Sequence, residues 1–312
     1  MRIAIIDIGT NTINLLVADT GGHGTYSIVH SSKVTARLGK GGINESRITP
    51  EAIRRGLDAI GTHVEKLKMF QPIDKIVALG TSALRAATNA ADFTQKVKDK
   101  YDIDINIISG DEEAQLIYDG VKQVMPIGRE RILILDIGGG SCEFIIADKN
   151  GVAWQQSYEL GMSRLLDRFK PSDPITKKQI QDIEAYLRPE LKSLYEAVQM
   201  HPTSTLVGTS GSFDTMASFV AARNHPSLNV RLSTSYEIPI SNFDDIYRKI
   251  INATADERSK MASIDPGRVD LIVPGVIFIN FVLSELKIER LYQCGFALKQ
   301  GAIYRIANGL MK

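Results

Sequence analysis

The chain has 312 residues, 44% of them hydrophobic and 23% charged, with a formal net charge of +1. This is globular composition with room for two domains, and it excludes the global basic field of a protein that binds nucleic-acid polymers. Cys142 and Cys294 stand alone and the five histidines show no metal-protease spacing, so neither a zinc site nor a disulfide framework is indicated and a reducing cytoplasm is expected. The N-terminus enters a strand and meets Asp7 at once, unlike a secretory signal. The longest apolar run, Leu271 to Leu283, contains Pro274 and Asn280 and is too short to span a bilayer, so it reads as a buried helix.

In chain order, Ile3 to Ile6 is a strand running into Asp7, and Thr12 to Ala18 is its hairpin partner. After a turn at Gly21, Gly22 and Gly24, two further strands are predicted, near Tyr26 to His30 and Lys33 to Leu38. Lys33, Arg37 and Lys40 cluster there with Gly39, Gly41 and Gly42, either as a solvated basic turn or as an anion contact. Thr49-Pro50 opens a helix with one apolar face, Ile53 to Leu67, which is scaffold. Lys75 to Leu79 is a strand ending in Gly80-Thr81-Ser82 at a helix start, a reasonable anion site, with Arg85 on the first turn. After a strand at Ile103 to Ile108, Ser109 or Asp111 caps a helix whose first turn holds Asp111, Glu112 and Glu113; acids there suit the helix dipole whether or not they do chemistry. Met125 to Glu130 reads as a linker.

The second half opens on Ile132 to Asp148. Apolar residues run into Asp136, Gly138, Gly139 and Gly140 turn the chain with Ser141, and the chain returns through Glu143. Glycines can gather backbone N–H groups into a nest for phosphate oxygens, although a plain hairpin explains them too. A carboxylate beside such a nest suits Mg²⁺, and Glu143 on the return strand can face the same side as Asp136. This stretch repeats Ile3 to Asp19 without a gap: Ile3, Ile5, Asp7, Ile8, Gly9, Ala18 and Asp19 match their counterparts. Two similar lobes are therefore expected, with a phosphate chain lying between the two loops and Asp7 and Asp136 facing across one cleft. Further on come a strand at Ala153 to Leu160, a short helix with Arg164 and Arg168, and a break at Pro171 to Pro174. A long helix from Thr176 to about Val198 is kinked or divided at Pro189. Thr205 to Val207 leads into a third glycine-and-hydroxyl loop, Gly208, Ser210, Gly211 and Ser212. An amphipathic helix, Ser241 to Ile251, the pair Arg268 and Asp270 before the buried helix, and a closing helix from about Phe296 complete the chain.

The paired DIGTN and DIGGGS hairpins resemble the actin, sugar-kinase and heat-shock ATPase superfamily. Within it, SGDEEA at Ser109 to Ala114 and the Arg268 segment resemble the exopolyphosphatase and guanosine pentaphosphate phosphatase (Ppx/GppA) family over essentially the whole chain. The resemblance implies an α/β protein of two ribonuclease-H-like domains facing a central cleft, in a short form: residues 1–125 plus 299–312 as one lobe, 126–298 as the other. It implies a hydrolase that releases terminal phosphate from polyphosphate or guanosine pentaphosphate, with Mg²⁺ or another divalent cation on Asp136 and Glu143. Glu113 is the implied base. Asp7, Gly9, Thr10, Asn11, Lys33, Arg37, Arg85, Gly138, Gly139, Gly140, Ser141, Gly208, Ser210, Gly211 and Arg268 are the implied phosphate contacts. The alternatives are a kinase or ATPase of the superfamily, or a non-catalytic nucleotide-binding protein. No nucleic-acid polymer or membrane partner is expected, and a homodimer is left open. Where the family usually reads GLREG, this chain has Lys299 and Gln300, which keeps the positive charge but loses the bidentate group and the carboxylate.

Overall fold

The structure is a computed structural model and describes residues 1–22, 24–230 and 233–311. The chain divides into two compact units: Met1–Gly120 with Gly138–Gly140 and Leu298–Lys312, and Val121–Ile137 with Ser141–Ala297. In the first unit, β1 (Arg2–Ile8), β2 (Thr12–Thr20), β3 (Tyr26–Thr35), β4 (Lys75–Gly80) and β5 (Ile105–Ile107) lie in the order β3-β2-β1-β4-β5. The first three strands form an antiparallel meander, and β4 and β5 join it parallel. Ile3 to Ile6 of β1 are shut off from solvent on both faces of the sheet, which is why this strand reads as an unbroken apolar run rather than an alternation.

Helices α1 (Pro50–Leu67), α2 (Ser82–Ala86), α3 (Ala90–Tyr101) and α4 (Gly110–Val121) complete most of this unit. Thr49 caps α1 by accepting from the Ala52 amide, and Pro50 fills the first helical position, where its missing N–H costs nothing. One expectation is corrected here: the two strands predicted near 26–30 and 33–38 are one strand ending at Thr35. β3 runs unbroken to Thr35, its ladder to β2 absorbing a bulge between Val17 and Ala18. It ends because the Ala36 and Arg37 amides turn away to the Asn11 carbonyl, at 3.0 and 2.8 Å.

The second unit holds β6 (Ile132–Ile137), β7 (Cys142–Asp148), β8 (Gly151–Tyr158), β9 (Thr205–Thr209), β10 (Ser235–Glu237) and β11 (Arg290–Cys294) in the order β10-β11-β9-β6-β7-β8. Taken from its other edge, β8-β7-β6-β9-β11 repeats the strand order of the first sheet, with the same antiparallel meander and the same parallel additions; β10 is an extra antiparallel edge. The likeness reaches the irregularities. The bulge of the second meander falls between Ile146 and Ala147, the repeat counterparts of Val17 and Ala18. Both units are ribonuclease-H-like.

Around this sheet lie α5 (Met162–Phe169), α6 (Lys177–Glu190), α7 (Lys192–Met200), α8 (Ser210–Asn224), α9 (Ile240–Asn252), α10 (Ala255–Ser259) and α11 (Ile272–Glu285). Pro189 divides the predicted long helix, and α6 ends at Leu191. α11 is apolar all round and is buried along nearly its whole length, as expected for a central core helix. Among the described residues no helix is long and apolar enough to cross a membrane. The last helix, α12 (Leu298–Ala307), belongs to the first unit and packs on β1, β2 and β3. It crosses α4 closely: a Cβ on Gly301 would lie 1.8 Å from the Leu116 carbonyl oxygen, so only glycine fits. Arg305 reaches Asp119 of α4 at 3.1 Å, and Asp119 is itself buried.

Candidate active site in two half-sites

In the second unit β6 carries Asp136 next to its C-terminal end, and the hairpin register sets it opposite Glu143 of β7, which in turn faces Ser157 of β8. Residues paired directly across strands share a face of the sheet. Asp136, Glu143 and Ser157 thus form one row. The two carboxylates are 8% and 0% exposed, so neither is a solvent-facing strand residue. Ser157 Oγ donates to Glu143 Oε1 at 2.7 Å. Thr209 and Ser210, at the β9–α8 junction, both donate their hydroxyls to Asp136 Oδ1.

Ser210 sits at φ 71°, a left-handed conformation uncommon for a residue with a side chain and one that concentrates at functional sites. Gly208 and Gly211 each have a packing reason. A Cβ on Gly208 would enter the ring of the fully buried Phe213, and one on Gly211 would lie 1.8 Å from Arg268 Cζ. Gly211 therefore lets the Arg268 guanidinium lie flat against the start of α8. Arg268 comes from a single 3-10 turn, Pro266–Arg268, capped by Asp265. Burial pushes the Arg268 guanidinium below its ordinary value, and Asp214, Asp265 and Asp136 oppose that. It remains a cation at any physiological pH. Its Nε is buried and has no hydrogen-bond partner among the described residues.

The first unit has the matching row. Asp7 of β1 pairs with Asn14 of β2, and Asn14 pairs with Lys33 of β3. Asn14 Nδ2 donates to Asp7 Oδ2 at 2.9 Å. In the turn between β1 and β2, the Gly9 amide closes on Thr12 O, so this glycine's N–H is used within the turn. Asn11 O takes the Ala36 and Arg37 amides, and Thr10 O takes the Gly39 amide at 3.1 Å, which knits the turn to the basic segment. Thr10 Oγ1 is buried and has no hydrogen-bond partner among the described residues. Arg37 is held at φ 50°, and Arg55 clamps it by donating to the Ala36 and Arg37 carbonyls at 2.9 and 2.8 Å. The turn Gly138 to Ser141 joins β6 to β7, with Gly140 and Ser141 buried; its glycines are grouped with the first unit.

The acidic start of α4 separates cleanly into two roles. Glu112 bonds back to Ser109, accepting from its amide at 2.8 Å and its hydroxyl at 2.9 Å while donating its own amide to Ser109 Oγ. This is a reciprocal cap, and the Ser109 amide, then the Ser109 hydroxyl, hold the Glu112 carboxyl below its usual range. Glu113 is 6% exposed and accepts from Arg85 Nη1 at 2.9 Å. The same Nη1 also donates to the Ile108 carbonyl at 3.1 Å, so Arg85 is fixed at both ends of the β5–α4 connection. Of the residues predicted from the sequence, the structure thus joins Asp136, Glu143, Ser210, Gly211 and Arg268 in one unit. In the other it joins Asp7 with Lys33 and Arg85 with Glu113, with Arg37 held close by on the Asn11 carbonyl.

Sequence reasoning missed Ser157, Thr209 and Asn14. Asn14 was within reach, since it stands at the repeat position of Glu143. Thr209 was marked by the motif GTS, which occurs at both Gly80 and Gly208. The two copies are not equivalent in space. Gly80 pairs with Ile8, whereas Gly208 pairs with Leu135, the counterpart of Ile6. The motif is shifted by two residues, so Thr209 meets the carboxylate while Thr81 donates to the Ile8 carbonyl instead.

A strand-end carboxylate row beside a strand–helix junction, on a ribonuclease-H-like sheet, defines a phosphate-handling protein. The chain belongs to the Ppx/GppA phosphatase family, whose model matches residues 16–309, and it is a hydrolase. It is 29% identical to exopolyphosphatase 2 of Mycobacterium tuberculosis over 92% of this chain and 91% of that protein. It is 27% identical to a putative exopolyphosphatase of Haemophilus influenzae over 98% and 91%. The crystal structure of an exopolyphosphatase from Cytophaga hutchinsonii superposes with a TM-score of 0.96 at 33% identity, covering 100% of this chain and 99% of that one.

Proposed function

We propose that the protein removes the terminal phosphate of inorganic polyphosphate by attack of water, with guanosine pentaphosphate as a second substrate of the same chemistry. The observation that carries the reading is the row Asp136–Glu143–Ser157, its two carboxylates buried, beside the half-buried Arg268: two carboxylates for a cation, and a guanidinium with an unused N–H for a phosphate oxygen. The relatives named exopolyphosphatase support it; a kinase or a non-catalytic nucleotide binder is not favoured.

The residues fit a hard divalent cation such as Mg²⁺. Two facing buried carboxylates repel each other unless a positive charge lies with them. Among the described residues no group of three or more His, Cys, Asp or Glu gathers to hold a metal. A cation held by two carboxylates, taking its remaining ligands from water and phosphate, matches the habit of Mg²⁺. Asp136 and Glu143 would hold it, and when bound it would neutralise phosphate charge. Arg268, Thr10, Arg37 and Lys33 bind phosphate oxygens and hold the chain for in-line displacement, since phosphoryl transfer depends mainly on positioning and electrostatics. The water oxygen forms a bond to the terminal phosphorus, the bridging P–O bond breaks, and the shortened chain leaves with the electron pair. Glu113 accepts the proton of the attacking water. Arg85 keeps that carboxylate oriented. Two buried cysteines outside any disulfide, Cys142 and Cys294, suit the cytoplasm as the compartment.

Phosphate release from long-chain polyphosphate, guanosine pentaphosphate and ATP, measured side by side with and without Mg²⁺, tests the proposal. Polyphosphate should be the best substrate and should need the cation. Faster release from ATP, or none from polyphosphate, would overturn it.

A further inference from the structure

The two units present the same three register positions with different chemistry. Asp136–Glu143–Ser157 carries two carboxylates and a hydroxyl; Asp7–Asn14–Lys33 carries a carboxylate, an amide and an ammonium. The decisive difference is one group. Asn14 stands at the repeat position of Glu143, and its Nδ2 donates to Asp7 Oδ2 at 2.9 Å, where the second unit has a facing negative charge. Replacing that NH₂ by O⁻ would turn a hydrogen-bond donor into a second anion on the same face, one strand away. Such a pair is stable only with a cation between its members, or with a proton shared.

We propose that Asn14 is the residue that keeps the first unit from binding a divalent cation. Its amide satisfies one oxygen of Asp7 without adding charge, and with Lys33 next in the row the first unit faces phosphate oxygens while the second faces the cation. The chain therefore holds one row-bound cation, not two. The inference rests on the reading of Asp136 and Glu143 as a cation pair, and the experiment separates the two.

The test is a Mn²⁺ titration of the full chain without substrate, following free Mn²⁺ by electron paramagnetic resonance. Wild type should bind one ion, and Glu143→Gln should lose it. The double variant Asn14→Asp with Lys33→Ser should bind two. Asn14→Asp alone, with Lys33 still acting as a counter-ion, should bind the second at least tenfold more weakly than the first. Asn14→Ala, which removes the donor without adding charge, should stay at one, and circular dichroism checks that each variant is folded. One ion in wild type and one in both aspartate variants overturns the inference and leaves the cation pair standing. No ion in wild type, or one retained by Glu143→Gln, overturns the pair and the inference with it.

Discussion

The two sheets share strand order, strand sense and even the position of a bulge, yet the second carries two buried carboxylates in its row and the first a single carboxylate beside an amide and an exposed ammonium. The difference teaches that topology fixes where three side chains meet, and that single residues at those positions fix what they meet for. Register across the antiparallel meander is what the units share; charge is what changes across it.

The largest effect should come from exchanging an anion in each row. Asp136→Asn should lower Mg²⁺-dependent turnover about a thousandfold or more, because it removes a proposed ligand of the charge-neutralising cation. Asp7→Asn, whose row already carries an amide and an ammonium, should do less. Initial rates across a Mg²⁺ series measure both, and a more damaging Asp7→Asn would reverse the division. Next is the proposed general base. Glu113→Gln should cut single-turnover phosphate release by roughly 10²–10⁴-fold with little change in binding. Glu112→Gln should do much less, since Glu112 is engaged in capping. A dead Glu112 variant beside an active Glu113 variant would exchange their roles.

Smaller is the binding effect of the first row. Polyphosphate affinity should fall as salt is raised, and Lys33→Gln should weaken binding severalfold and flatten that salt dependence, as expected for a solvent-exposed charge. An affinity indifferent to salt would remove Lys33 from the phosphate path. The smallest effect concerns stability. His63 is buried under β2, donating Nε2–H to the Ile13 carbonyl at 2.9 Å, and burial lowers its pKa while that hydrogen bond opposes the shift. The unfolded chain takes up this proton first as pH falls. Stability from the neutral ring is therefore present above about 6.5 and is lost below it. Melting temperature should therefore drop between pH 7.5 and 5.5. His63→Gln should flatten the drop; an unchanged slope would clear this histidine.

Most of the fold was legible because the gapless repeat, Ile3 to Asp19 on Ile132 to Asp148, encodes a hairpin whose partners are adjacent in the chain. Asp136 and Glu143 could be paired from it. The third member of each row could not, because Lys33 and Ser157 reach their places across a bulge, and a bulge shifts register by a residue the sequence does not mark. Thr209 was hidden for a related reason: its motif recurs, but the parallel pairing that places it slides by two residues between the units. The separation of Glu112 from Glu113 rested on family likeness in the sequence. In the structure it rests on Ser109 taking one and Arg85 the other.

The closeness of α12 to α4 at Gly301 also sets a schedule. The helix that carries Glu113 is made early, but the helix that braces it through Gly301 and Arg305 emerges only after the whole second unit has been translated. At about 5–20 residues per second, that leaves a delay on the order of ten seconds or more. During it α4 lacks one wall, and its amides should exchange freely in a ribosome-stalled chain that stops short of Leu298. If Glu113 is the base, hydrolysis should wait on this brace, and a chain stopped short of Leu298 should release no phosphate.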